Sequence, residues 1–316
     1  MDKSTLGNTS LSVSRLCFGS LTIGPLQANL SPEDGAMILT YAFERGVNFV
    51  DTAELYGTYP HVKNALKNVN RQDIVIASKS YAYSKKTAEQ SLKKALTEMD
   101  LEYIDIFLLH EQESEHTLRG HFEALEYLVK MKEKGYIKAV GLSTHYIASV
   151  KASLKYKEID IIHPIVNMLG LGIQDGSVND MLRELKKAQD MGKGIYAMKP
   201  FGGGNLLNSF EDCFAFVLSL SYIHSIAIGM RTIEEVQMNI DIFQGKTELK
   251  GIQNKINISG KKLNIAYWCD RCGKCVEVCG FKALAIKKNK IYIDHEKCTL
   301  CGYCSKYCSQ FCIKIV

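Results

Sequence analysis

Short runs rich in apolar and β-branched residues recur along the first 245 residues of the chain. They are LCFG (16–19), VNFVD (47–51), IVIAS (74–78), YIDIFLLH (103–110), YIKAVGLS (136–143), DIIHPIVN (160–167), GIYAMK (194–199) and SIAIG (225–229). Each reads as a strand. Between them the apolar positions fall on a helical period, as in AMILTYAFERG (36–46), TAEQSLKKALTEMD (87–100), HFEALEYLVKMKEKG (121–135) and VNDMLRELKKAQDMG (178–192). Several of these segments end on Gly, a common helix terminator. Eight such repeats predict a parallel (β/α)8 barrel, an α/β fold of the TIM-barrel type. The rival is an open doubly wound sheet, but the G-x-G-x-x-G turn such a sheet carries after its first strand is absent: the chain reads CFGSLTIG there. The pattern changes near residue 250. The expected division is 1–250 for the barrel and 259–316 for a small α+β unit. The connecting stretch GKTELKGIQNKINISGKKLN reads equally well as an ordered helix or a flexible tether.

The second unit is set apart by cysteine. The chain has 11 cysteines, and nine of them lie from Cys269 onward. Cys269, Cys272, Cys275 and Cys279 have the spacing C-x2-C-x2-C-x3-C, and Cys298, Cys301, Cys304 and Cys308 repeat it 29 positions later. This run, doubled, is that of bacterial two-cluster ferredoxins, in which the fourth thiolate of each run ligates the other cube. The expected ligand sets are therefore Cys269, Cys272, Cys275 and Cys308 for one [4Fe–4S] cluster, and Cys298, Cys301, Cys304 and Cys279 for the second. Paired zinc sites also use C-x2-C steps, but zinc needs four ligands and no triplet in a row. Gly273 and Gly302 fall where a loop around a cluster needs left-handed backbone. The tail departs from the ferredoxin run in one respect. Gly280 and Ser309 stand where proline follows the fourth cysteine. Cys312, four residues after Cys308, is expected to be a core filler like its counterpart Ala283. ALAIKKNKIYID (283–294) reads as a hairpin turning at Lys288-Asn289.

Charge adds little. The 39 basic and 34 acidic residues leave a net charge of +5, with no basic block of the kind that marks a nucleic-acid arm. The amino terminus is too polar for a secretory signal. The apolar stretch FAFVLSLSYIHSIAIGM (214–230) is short and interrupted for a membrane span. The expectation is a cytoplasmic protein with no membrane or nucleic-acid partner, in which clustered thiols bind metal rather than form disulfides.

In a barrel the chemistry sits at the C-terminal ends of the strands. Asp51 ends the second strand, Tyr56 lies five residues on, Lys79 follows the third and His110 ends the fourth. Taken singly, each has an ordinary explanation: a helix cap, a surface aromatic, a solvated lysine, a rim histidine. Together they are a constellation. DTAELYG (51–57), ASKS (77–80) and DIFLLH (105–110), with the opening LGNTSLSVSRLCFGS, resemble the signature segments of the aldo-keto reductases over about residues 5 to 245. The resemblance implies an NADPH-linked reductase of a small carbonyl, or the reverse oxidation of an alcohol, with Asp51, Tyr56, Lys79 and His110 as the catalytic set. Tyr56 would supply a proton to the carbonyl oxygen. Lys79 would lower the phenol's pKa, Asp51 would fix Lys79, and His110 would orient the carbonyl.

The same resemblance implies dinucleotide contacts at Ser143, Asn167, Lys199 and Gly203, with the adenosine end near Arg231, Glu235 and Asn239. The glycines of KPFGGGNL (199–206) would admit a phosphate. Thr232 alternatively reads as the N-cap of the last helix. The nicotinamide floor departs from the family: Met198 stands where a stacking Tyr is usual, His163 and Val166 replace a Gln and a Tyr, and Thr144 replaces an Asn. A hydride carries two electrons and a [4Fe–4S] cluster one, so coupling the two units calls for a converter such as a flavin. Three readings follow. The clusters accompany an NADPH enzyme and stabilise the tail, sense redox state or dock a redox partner protein. A flavin links cluster and substrate. Or the protein is an electron carrier on an idle barrel.

Overall fold

The computed structural model describes residues 1–250 and 260–316. An antiparallel hairpin, β1 (Lys3–Thr5) with β2 (Ser12–Ser14), opens the chain. Eight parallel strands follow: β3 (Leu16–Gly19), β4 (Phe49–Asp51), β5 (Val75–Ser80), β6 (Ile104–Leu109), β7 (Ile137–Thr144), β8 (Ile161–Pro164), β9 (Gly194–Met198) and β10 (Ser225–Gly229). They pair in sequence order, and β10 returns to β3 to close the barrel. All eight expected strands form, and β3 and β10 occupy the expected residues.

Several helices start on side-chain caps, and several end on the glycines expected from the sequence. Ser31, Ser84, Ser114, Ser177 and Thr232 each accept a hydrogen bond from a first-turn backbone N–H, satisfying an otherwise orphaned donor. Gly46, Gly135 and Gly192 follow their helices with positive φ. The barrel has two apolar layers. Inside the strands, Phe49, Ala77, Ile106, Leu108, Ala139, Ile161 and Tyr196 fill the lumen, and Leu6, Leu11 and Val13 of the opening hairpin join that cluster. Outside, alternate strand residues such as Val50, Ile76, Phe107 and Val140 meet the apolar faces of the helices.

The tail begins at β11 (Leu263–Ile265), which pairs with the last strand, β14 (Ile313–Ile315). Between them β12 (Leu284–Lys287) and β13 (Lys290–Ile293) form the expected hairpin, with Lys288 and Asn289 both at positive φ as its tight turn requires. The two cysteine runs adopt the same backbone. Arg271, Gly273 and Lys282 have positive φ, and so do Leu300, Gly302 and Phe311, each at the matching place in the second run. Ala283 N–H donates to Cys279 Sγ at 3.3 Å and Cys312 N–H donates to Cys308 Sγ at 3.2 Å. Cys312 and Ala283 are both buried, as their alignment predicted.

The tail is seated on the barrel's C-terminal mouth. The Ile315 N–H donates to the Gly203 carbonyl at 3.0 Å, and Asn205 Nδ2 donates to the Ile313 carbonyl at 2.9 Å. Gly302 comes so close that a Cβ there would lie 2.2 Å from the Asn205 carbonyl oxygen. Residues 251–259 of the connecting stretch lie outside the described residues. Among those described, no helix is long and apolar enough to cross a membrane.

Candidate active site

Asp51 closes β4 and Lys79 lies within β5, both buried. The sequence placed Lys79 just after its strand. The ladder to β6 instead runs on through Lys79 and Ser80, paired with Leu108 and Leu109. The Lys79 ammonium donates to Asp51 Oδ1 and Oδ2 at 2.8 and 2.7 Å and to the Thr52 carbonyl at 2.8 Å. These three bonds use all its donors. A second layer steadies the carboxylate. The Tyr196 hydroxyl donates to Asp51 Oδ1 at 2.9 Å, and His163 stacks on the Tyr196 ring with centroids 3.8 Å apart. The expectation missed Tyr196 because it lies in β9 below the rim. The period-2 alternation with Met198 was the available signal, since it puts both on one face of the strand.

Tyr56 sits in the turn after β4. Its ring centre is 4.7 Å from Lys79 Nζ, and the His110 ring meets it edge-on at 5.8 Å. His110 follows β6, with Tyr81 stacked on its other side at 4.4 Å. The four expected side chains thus converge on one mouth. The electrostatics differ from the expectation in one respect. Burial, aided by the charge of Asp51, holds the Tyr56 phenol well above its ordinary pKa. The Lys79 charge is neutralised by its bidentate partner, so it does not outweigh desolvation. Burial and the nearby Lys79 and Lys199 ammonium groups hold His110 well below its ordinary value. At neutral pH the mouth therefore presents a protonated phenol and a neutral imidazole. His110 Nδ1 is buried and has no hydrogen-bond partner among the described residues.

The residues expected to hold a dinucleotide divide into separate groups. Ser143 Oγ accepts from the Glu111 N–H at 2.8 Å. Asn167 closes its own loop, exchanging bonds with Leu171 N–H and carbonyl at 2.8 and 2.9 Å. Lys199, at the end of β9, places Nζ 2.8 Å from His145 Nε2. Gly203 faces the tail: a Cβ there would lie 2.6 Å from Lys314 Cδ. Arg231, Glu235 and Asn239 come together around the start of the last barrel helix (Ile233–Phe243), where Thr232 is the N-cap. The Arg231 N–H donates to Glu235 Oε2 at 2.8 Å, and Lys261 reaches Glu235 Oε1 at 3.3 Å. Asn239 Oδ1 is buried without a partner among the described residues, so this group keeps one unspent acceptor.

The cysteines fall into two sets. Cys269, Cys272, Cys275 and Cys308 line one small hollow of about 10 Å³. Burial pushes the Cys275 thiol up to about 11, and the thiols that add to this are Cys308, Cys269 and Cys272. Burial pushes the Cys304 thiol up to about 12, with Cys275, Cys301, Cys279 and Cys298 adding to it. Among the described residues no three His, Cys, Asp or Glu side chains close on a single point as ligands of one ion do.

The profile of the "Aldo/keto reductase family" matches residues 15–214. The chain is 30% identical over 202 residues to "Probable aldo-keto reductase 1" of Glycine max, an alignment covering 53% of this chain and 56% of that protein. It spans just over half the length of that curated relative. It is 24% identical over 308 residues to the oxidoreductase YqkF of Bacillus subtilis, covering 80% and 96% of the two chains. The fold is similar to that of an aldo-keto reductase from Bacillus halodurans, with a TM-score of 0.66 at 22% identity over 81% of this chain and 94% of that one. By its barrel and the residues at its mouth, the chain belongs to the aldo/keto reductase family.

Proposed function

We propose that the barrel reduces a small carbonyl compound, or oxidises the corresponding alcohol, with NADPH as the hydride source. The observation that carries this reading is the convergence of Asp51, Lys79, Tyr56 and His110 on one mouth. NADPH supplies the hydride when bound, and the chain supplies the proton and the electrostatics. His110 orients the carbonyl by a hydrogen bond. The Tyr56 hydroxyl, still protonated at neutral pH, gives its proton to the oxygen as charge develops there. The Lys79 ammonium lies beside the phenolate left behind, and Asp51 holds Lys79 in place. The methylglyoxal reductase of Escherichia coli, 28% identical over 153 residues, makes a small reactive aldehyde a reasonable first substrate. The unspent Asn239 acceptor beside Arg231 and Glu235 suits the adenosine end of the cofactor. The test is Tyr56→Phe, which should abolish carbonyl-dependent NADPH oxidation. Turnover within threefold of the parent protein would contradict the assignment.

We assign the tail two [4Fe–4S] clusters. The doubled C-x2-C-x2-C-x3-C run supports this, and so does the gathering of Cys308 with Cys269, Cys272 and Cys275 around one hollow. The Cys279 and Cys308 sulfurs already accept backbone N–H bonds, the kind of contact that tunes a cluster's potential. A second reading has a flavin in place of the nicotinamide. It is favoured by Met198 at the floor and by Phe311, whose N–H donates to the Cys308 carbonyl at 3.0 Å while its ring meets His145 at the mouth. Extraction of flavin from protein purified without oxygen would establish that reading, and its absence would dismiss it.

A further inference from the structure

Two lysines meet at the junction of barrel and tail, and one of them, Lys199, is among the residues expected from the sequence to contact a dinucleotide. Lys199 ends β9 with φ +59, a left-handed conformation that costs a lysine about 1 kcal/mol or more and persists where surrounding structure imposes it. Its Nζ is 2.8 Å from His145 Nε2 and 5.4 Å from the centre of the Phe311 ring. Lys314 comes from β14 of the tail. Its stem packs on Gly203, its Nζ lies 2.9 Å from the centre of the same Phe311 ring, and it donates to the Phe311 carbonyl. One buried ring is thus flanked by two lysine amines, one from each unit.

Neither lysine has a carboxylate partner among the described residues. The acids nearby are engaged: Glu111 Oε2 accepts from the Tyr81 hydroxyl at 2.6 Å, and Asp51 from Lys79 and Tyr196. Burial lowers Lys199 to about 8, and burial with the repulsion of Lys199 lowers Lys314 to about 6. At neutral pH the pair therefore holds its second proton weakly, and an anion bound between the two amines would restore it. Lys199 also acts electrostatically on His110, so an anion held there lies on the side of the catalytic set. The turn at Gly203, where a dinucleotide phosphate would approach the backbone, is covered by Lys314, and its carbonyl is taken by Ile315.

We propose that Lys199 and Lys314 form a two-lysine subsite, shared between barrel and tail, for the carboxylate or phosphate of an acidic carbonyl substrate. This deepens the carbonyl-reduction reading and rests on it for the word substrate. It gives the tail a direct part in substrate choice, since the subsite is incomplete without β14. Lysine suits the role as a compact point charge, and the neutral His145 beside Lys199 can accept a hydrogen bond from its ammonium.

The test uses the full chain purified without oxygen and the variants Lys314→Met and Lys199→Met, with Lys151→Met, an exposed lysine on the barrel wall, as control. Methionine keeps the stem of Lys314 over Gly203, and an unchanged visible spectrum reports an intact tail. Calorimetry with inorganic phosphate, which needs no turnover, should give binding that weakens at least tenfold in both variants and not in the control. Kinetics then compare 4-oxobutanoate with butanal, an acidic and a neutral aldehyde of equal length. The expected result is a tenfold or larger rise in KM for the acid and less than threefold for butanal in Lys314→Met. Absence of phosphate binding, or equal binding by all variants, overturns the subsite whatever the activity. Weaker NADPH binding with equal effects on both aldehydes assigns the anion to the cofactor and also overturns it. Phosphate binding that needs both lysines, without turnover of either aldehyde, keeps the anion site and overturns the carbonyl-reduction reading instead.

Discussion

Replacing Lys79 by methionine isolates what its buried ammonium does. The group makes three hydrogen bonds, two of them to Asp51, and its Nζ is 4.7 Å from the Tyr56 ring centre. At that separation, with an effective dielectric of about 20, a unit positive charge favours a phenolate by about 3.5 kcal/mol, or about 400-fold in rate if the proton is largely transferred in the transition state. Asp51 offsets part of this while it remains ionised, so a fall in kcat of about 10² to 10³ is expected. Stability should fall as well. Removing one partner of a buried ion pair costs about 3–5 kcal/mol, limited here because Asp51 can take up a proton and keeps the Tyr196 hydroxyl as donor. The assay is kcat for NADPH oxidation at saturating carbonyl and pH 7, with circular dichroism and a urea titration on the same samples. A folded variant with kcat within threefold of the parent would refute the argument that Lys79 stabilises charge on Tyr56.

Three other expectations follow from the same structure. Burial holds His163 down to about 4 and keeps His110 and His145 neutral. The unfolded chain gains protons on its histidines below about pH 6.5 while the folded state resists them, so stability is complete above that pH and falls as pH drops toward 4. The slope is up to about 1.4 kcal/mol per pH unit for each histidine, and an unchanged urea midpoint between pH 7.5 and 5.5 would contradict it. Cys275→Ser should lower iron from about eight to about four per chain, read by iron analysis on anaerobic protein, and an unchanged iron count would contradict the ligand sets. Gly302→Ala forces a Cβ toward the Asn205 carbonyl at a positive φ of 71°, so limited proteolysis should release the tail sooner. Cleavage at the parent rate would show that this contact does not hold the units together.

The barrel was legible because its signals are local. Runs such as LCFG and SIAIG cannot cover themselves, and their alternation with glycine-terminated helices leaves few other arrangements. The ionisable residues at the strand ends were legible because barrel topology makes the rim the place to look. What escaped were contacts with no periodic signature. Tyr196 completes the Asp51 network from within β9, on a strand interior that reads as packing. Lys314 lies in the last strand, where CIKIV reads as simple alternation, and its place over Gly203 depends on the docking of segments a hundred residues apart. The sign of the Tyr56 shift was missed for a related reason. Composition puts a lysine near a tyrosine, but only the bidentate pair with Asp51 shows that the lysine's charge is already balanced.

The most direct test of the account is deuteride transfer. Protein purified without oxygen is given a carbonyl substrate and NADPH deuterated at the reactive face of its nicotinamide, and the alcohol formed is examined by mass spectrometry. The account predicts one deuterium on the former carbonyl carbon, delivered in the parent protein and lost with activity in Tyr56→Phe. An alcohol without deuterium would contradict it, because carbon would then have been reduced by single electrons and solvent protons rather than by hydride.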